Sequence, residues 1–361
     1  MASKSNLGQS LSSLQENVRL LYLGAGAFGI RYSDLIHAKT SAYDTRSWGK
    51  SLAKLAARYE KLAEEAFDSR RMQSAREWLK DTVNYHYFSQ VFLTGDEKAE
   101  QQARSRRAFE QLGVLLEPPC KRIMIPFMDA YIPGYLRVSE PSAPCVLLVG
   151  PGSDPTSKEV VLHQIAEFFV ERGMSVFYFD GPGQGELVGK LRMSPTNFDN
   201  AISTVINFLA EQEGVANAKK IGMFAISLGA YFTLRAVAQD ERIAACATLS
   251  GNFDGRGFLN LAPMVWKDML RKFGYKGNET IHPDELIPPL SELDQTVTKP
   301  LLLIHGGTDN ICVPEERNHI KAWAQGETEV WFYEDAEHIC YSRFPEILPA
   351  LGDWMAKRLL M

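Results

Sequence analysis

The sequence predicts an α/β protein: a mostly parallel β-sheet with helices on both faces, preceded by a helical segment. Three observations predict it. Beyond about residue 120, short apolar runs alternate with stretches whose apolar residues recur every three or four positions. That alternation buries strands on both faces and calls for helical crossovers. Before residue 120 the pattern is helical and charged, from Trp48 to Leu115 in three stretches. Finally, the apolar run Ile221-Gly-Met-Phe-Ala-Ile breaks into Ser227-Leu-Gly-Ala230 and then a helical pattern, which marks a sharp strand-to-helix turn.

The elements follow in order. Helical spacing covers Trp48 to Ala66, Arg70 to Gln90 and Asp96 to Leu115, and Pro118-Pro119 stops the last of these. Lys121 to Phe127 and Tyr131 to Val138 read as a hairpin. A strand at Pro144 to Val149 precedes a helix from Ser157 to Arg172 and a strand at Ser175 to Phe179. A helix from Phe198 to Glu213 leads to the strand ending at Ile226. Strands at Ala244 to Leu249, Leu301 to Ile304 and Val330 to Tyr333 follow, then a last helix from Pro345 to Leu360. The interval of about 257–296 carries no strand pattern and reads as an insertion.

The Ser227 turn has the form of a nucleophile elbow, which holds a hydroxyl exposed at its tip and needs small residues on either side. Gly229 supplies one. Ala225 stands where a first glycine is usual, the smallest available departure. A serine hydroxyl needs an imidazole to take its proton and a carboxylate to hold that imidazole. The α/β-hydrolase fold supplies them in the chain order Ser, acid, His. Asp309, in the loop after Pro300-Leu-Leu-Leu-Ile-His-Gly-Gly, and His338, in the loop after Val330-Trp-Phe-Tyr333, meet that order at strand ends. Asp335 and Glu337 are too close to His338 along the chain to face its ring from behind. His305, at its own strand's end, reads as structural. Acyl transfer also needs two N–H donors for the oxyanion. The amide of Leu228 is one candidate. The loop Gly150-Pro-Gly-Ser-Asp154 offers the other; Pro151 has no N–H, and Gly152 is preferred over Ser153.

Length and composition bound the rest. With 361 residues, 45% of them apolar, the chain buries a large core. It exceeds a minimal hydrolase domain, so residues 1–120 read as a helical N-terminal cap and 121–361 as the catalytic domain. The net charge of −5 with no basic block argues against nucleic acid. No apolar run reaches transmembrane length and no signal sequence opens the chain. Cys120, Cys145, Cys246, Cys312 and Cys340 show neither a metal spacing nor a disulfide framework, so a reduced cytoplasmic setting is expected. Neither metal nor cofactor is expected. Gly24-Ala-Gly26-Ala-Phe-Gly29 matches a dinucleotide fingerprint, with Asp44 about 20 residues on. Arg31 to Tyr43 shows no helix-then-strand pattern, however, so a glycine-rich connection within the cap is the preferred reading.

Several motifs together resemble α/β-hydrolases of the 2,6-dihydroxypseudooxynicotine hydrolase type, whose relatives include fungal polyketide-shortening hydrolases and the fermentation-respiration switch group. They are Ser74-Ala-Arg-Glu-Trp-Leu79, Asn84-Tyr-His-Tyr-Phe88, Ile125-Pro-Phe, Pro133-Gly-Tyr-Leu-Arg137, Ser157-Lys-Glu159, Asp180-Gly-Pro-Gly-Gln-Gly-Glu186, Ile226-Ser-Leu-Gly229, and the Asp309 and His338 loops. The resemblance implies Ser227, Asp309 and His338 as a triad, a cap over the site, and a homodimer. The Gly150 loop departs from it in being longer than the family's Gly-Gly turn. The resemblance also implies hydrolysis of a C–C bond beside the carbonyl of an aromatic or polyketide-like small molecule. An ester leaving group suits the same three residues, and a non-catalytic binding module is a further alternative. Asp180 to Glu186 reads as a turn shaped by its glycines and anchored by Glu186. Tyr85, Tyr87, Phe88 and Trp266 are candidate pocket aromatics, although core packing is the commoner fate of such residues.

Overall fold

A computed structural model describes residues 19–42, 44–91, 93–141, 143–150, 158–212 and 220–361. The described residues before the sheet are mostly helical. α1 covers 19–27, and α2 (Tyr32–Ser41), α3 (Thr45–Asp68), α4 (Met72–Gln90) and α5 (Gly95–Val114) follow. The glycine-rich segment is therefore helix rather than connection through Gly26, and only Gly29, at φ +90°, makes the turn. A helix, α2, does follow it, one that the sequence spacing does not mark, but the next element is α3 and, among the described residues, no strand intervenes, as expected. Asp44 is committed to capping α3: its carboxylate accepts from the Ser47 amide at 2.7 Å, and Ser47 returns the bond. Asp44 is thus spent on the cap and not on a ribose, and the dinucleotide reading ends there.

The sheet has eight strands in the order β1-β2-β4-β3-β5-β6-β7-β8. β1 (Cys120–Phe127) and β2 (Ala130–Arg137) form the antiparallel hairpin at one edge. β3 (Cys145–Val149), β4 (Ser175–Phe179), β5 (Ile221–Ile226), β6 (Ile243–Leu249), β7 (Leu301–Gly306) and β8 (Thr328–Tyr333) run parallel. Between them come α6 (His163–Val170), entered through a wider π-turn at Lys158–Leu162, then α7 (Pro195–Glu211) and α8 (Leu228–Gln239). In the interval 257–296 lie two helices, α9 (Pro263–Lys272) and α10 (Pro283–Leu286), with no strand among its residues. α11 (Glu315–Trp323) and α12 (Phe344–Leu359) complete the chain.

Alternation along β3 shows how the sheet divides the interior. Val146 and Leu148 face one core, shared with α6 and α12. Cys145, Leu147 and Val149 face the other, shared with α7 and α8. All five residues of β3 are fully buried, which is why the strand reads as a continuous apolar run. The helices α2 to α5 add Leu35, Trp48, Leu52, Leu79 and Phe109 to the first core. Among the described residues, no helix is long and apolar enough to cross a membrane. All five cysteines are free thiols.

Candidate active site

The site lies where β5, β6, β7 and β8 end. β5 stops at Ile226, and Ser227 adopts φ 54°, ψ −130° before α8 begins at Leu228. A non-glycine residue in that region carries strain of about 1–3 kcal/mol and persists only where its surroundings impose it. The Ser227 amide donates to Leu249 O at 2.8 Å, and its carbonyl accepts from Ala230 at 2.8 Å, so the turn is held on both sides. Gly229 is required by contact: a Cβ there would stand 2.2 Å from Gly150 O. Ala225 is fully buried within β5, paired with Val149 and Thr248.

Asp309 and His338 reach Ser227 because their loops run against each other. Gly306 and Gly307 allow it, since a Cβ on either would lie 2.4 Å or less from Ala336 O or Glu334 O. Gly307 N donates to Tyr333 O at 2.7 Å, and Thr308 N to Ala336 O at 2.9 Å. Ser227 Oγ then sits 3.0 Å from His338 Nε2, and His338 Nδ1 sits 2.8 Å from Asp309 Oδ2. Asp309 Oδ1 accepts from the amides of Ile311 and Cys312 at 2.9 and 2.8 Å.

The electrostatics set the direction of this relay. Burial by itself would raise the Asp309 carboxyl. The facing His338, its hydrogen bond, His305 and the Ile311 amide outweigh burial and hold it below the usual carboxylate value. Asp309 is therefore ionised at neutral pH. An ionised carboxylate only accepts, so Nδ1 carries the proton and Nε2 offers its lone pair to the Ser227 hydroxyl. Such an arrangement can take a proton from Oγ as it attacks an electrophile.

The other candidates fall elsewhere. His305 is buried, its Nε2 donates to Cys312 O at 2.6 Å, and burial lowers its basicity. Asp335 pairs with Arg343, and Glu337 accepts from Ser342 N and Oγ at 2.9 and 2.7 Å. Leu228 heads α8, where first-turn amides have no intrahelical acceptor. Gly152 and Ser153 lie outside the described residues. The four aromatic candidates do not share one wall. Tyr85, Tyr87 and Phe88 belong to the core on the α6 face, and Trp266 packs against the core on the other. Tyr85 is fully buried; its hydroxyl accepts from the Arg31 amide and donates to Asp34, joining α4 to α2.

Sequence reasoning missed three neighbours of the relay: Ser250, Asn252 and Cys312. Cys312 Sγ donates to Asn252 Oδ1 at 3.2 Å, and burial pushes its thiol well up. Donor atoms of Asp309, Cys312 and His338 lie within 4.8 Å of one another, a spacing a metal ion can span. Here Asp309 and His338 are already bonded to each other. Only the position of Cys312 three residues past Asp309 hinted at its place.

The Asp180 to Glu186 turn encloses a buried ionic cluster. Lys158 Nζ meets Glu159 Oε1 at 2.8 Å, Glu186 Oε1 at 3.1 Å, and Asp180 Oδ2. Glu186 also binds Arg122 at 2.8 Å. Gln184 ties the turn to β3's end, receiving Gly181 N–H at 2.9 Å and donating to Gly150 O at 3.1 Å. Burial drives the Asp180 carboxyl up; Lys158 opposes this, and Glu159 and Glu186 reinforce it. Removing the ammonium leaves three carboxylates facing one another. Lys158→Met is expected to destabilise the fold by about 3–5 kcal/mol, read as a lowered midpoint in urea.

Two families match this chain: the Esterase FrsA-like family over residues 31–254 and the Prolyl oligopeptidase family over residues 161–357. The chain belongs to both and is an α/β-hydrolase. The hydrolase is 26% identical over 332 residues to 2,6-dihydropseudooxynicotine hydrolase of Paenarthrobacter nicotinovorans, covering 91% of this chain and 88% of that one. It is 33% identical over 227 residues to 20-hydroxy-prefusarin hydrolase of Gibberella moniliformis, covering 58% of this chain and 53% of that one, about half the fungal relative's length. A solved structure of 2,6-dihydroxy-pseudo-oxynicotine hydrolase shares the fold, with a TM-score of 0.77 at 23% identity over 94% of this chain and 96% of that one.

Proposed function

We propose that this hydrolase cleaves a C–C bond beside the carbonyl of an aromatic or polyketide-like ketone, through an acyl-enzyme on Ser227. One observation carries the nucleophile: the unbroken relay from Asp309 through His338 to Ser227. Ser227 Oγ attacks the carbonyl carbon as its proton passes to His338 Nε2. Asp309 holds the imidazolium in place. The oxyanion is received by the amide of Leu228 and a second amide from the Gly150 loop, for which Gly152 is proposed. Collapse expels the carbon fragment as an enolate-like leaving group, and His338 returns the proton to it. Water, deprotonated by the same imidazole, then releases the acyl group as a carboxylic acid. These steps need no group beyond the three side chains and the two amides.

The choice of a carbon leaving group is supported by the relative that covers most of the chain, named for hydrolysis of 2,6-dihydropseudooxynicotine. An ester would pass through the same acyl-enzyme with an oxygen leaving group. Assays on aryl 1,3-diketones and p-nitrophenyl esters in parallel separate the two. Diketone cleavage is expected; rapid ester turnover with no diketone product would replace this reading by a carboxylesterase. A fluorophosphonate probe tests the nucleophile itself. Labelling confined to Ser227 is expected, whereas a chain that resists the probe would be a binding protein on a hydrolase fold. We further propose that the enzyme works as a cytoplasmic homodimer, the assembly being checked by light scattering.

A further inference from the structure

His338 stands on an unusual backbone. The two residues after it, Ile339 and Cys340, both have positive φ, 70° and 53°. Isoleucine is β-branched and poorly suited to that region, so the turn needs outside support. Within the loop, Cys340 N donates to Glu337 O at 2.9 Å. From outside, the Ile339 amide donates to Ser250 Oγ at 3.0 Å. Ile339 is 6% exposed and Ser250 fully buried, so this N–H has no water to fall back on.

Ser250 is itself held in the left-handed region, at φ 52°. It follows directly on β6, and its amide donates to Ile304 O in β7 at 2.9 Å. The preceding carbonyl, Leu249 O, accepts the Ser227 amide. The 249–250 junction therefore touches the nucleophile's turn with one residue and the histidine's turn with the next.

Resting on the serine-hydrolase reading above, we infer that Ser250 is a positioning residue: its Oγ fixes the Ile339 amide so that the His338 imidazole faces Ser227 Oγ. Without that acceptor the 338–339 peptide is free to rotate, and Nε2 swings off the serine. The hydroxyl does not touch substrate; it acts through the base.

Two variants separate the hydroxyl from the strained backbone. Ser250→Gly removes the acceptor but adopts φ 52° at no steric cost, and Ser250→Ala removes the acceptor and keeps the strain. Both are expected to lower kcat and the rate of fluorophosphonate labelling by about 10- to 100-fold with KM little changed, the signature of a displaced general base. Both variants leave the buried Ile339 amide unpaired and should melt below the native chain, the alanine variant lower than the glycine one because it keeps the strain. A glycine variant within twofold of native in labelling rate would overturn the inference. So would activities that follow the melting temperatures. A native chain that the probe does not label at Ser227 would overturn the underlying reading, and this one with it.

Discussion

Ser227→Ala is expected to lower kcat by about a millionfold, the scale at which loss of a serine nucleophile is felt when its base and orienting acid remain. Alanine keeps the Cβ, so the strained elbow at φ 54° persists and the buried turn loses a single oxygen. Thermal stability should therefore change little, and substrate affinity should remain near native. Steady-state kinetics with single-turnover controls measure the loss, and a fluorophosphonate probe should leave the variant unlabelled. Rapid residual turnover, or labelling that survives the substitution, would show that some other group attacks.

Asp309→Asn is expected to cost about 10⁴-fold in kcat with the geometry intact. The amides of Ile311 and Cys312 both point at Oδ1. They will select the orientation in which the asparagine carbonyl accepts them, leaving its NH₂ toward His338. Nδ1 must then accept, the ring proton moves to Nε2, and an N–H faces the serine where a lone pair is needed. The pH dependence follows from the same group. Its native carboxyl lies below the usual value, near 3.9, so its contribution to stability is complete above that pH and is lost as pH falls through the lower native value. Acid unfolding of the native chain should carry this component, and that of the asparagine variant should lack it.

The strands were legible because each is a short apolar run, and the long helices because their apolar stripes repeat. α2 was missed for a physical reason. Its sequence, Tyr32 to Ser41, leaves Tyr32 and Ile36 exposed and is held by partners distant in sequence, such as the Tyr85 hydroxyl on Asp34. Local spacing carries no record of such partners. The same holds at the site. The chain order of Ser227, Asp309 and His338 is written in motifs at strand ends, and the structure brings the three side chains within hydrogen-bond distance. Ser250 and Cys312 carry no motif; they enter only because β6 and the Asp309 loop converge. The placement of Tyr85, Tyr87 and Phe88 was equally hidden, since a buried aromatic on a helix looks the same in sequence whichever cavity or core it fills.

One consequence concerns how far the molecule can be divided. A cut near residue 120 follows the chain, yet the first core does not respect it. Trp48, Leu79 and Phe109 from the leading helices share one continuous apolar cluster with Val146, Phe224 and Trp354 from the sheet and α12. Removing the helices would strip one wall from that interior and leave it open to water. The leading helices are therefore no detachable module to be exchanged between relatives for a new specificity. They must be redesigned in place, with the sheet's own face held constant as the template.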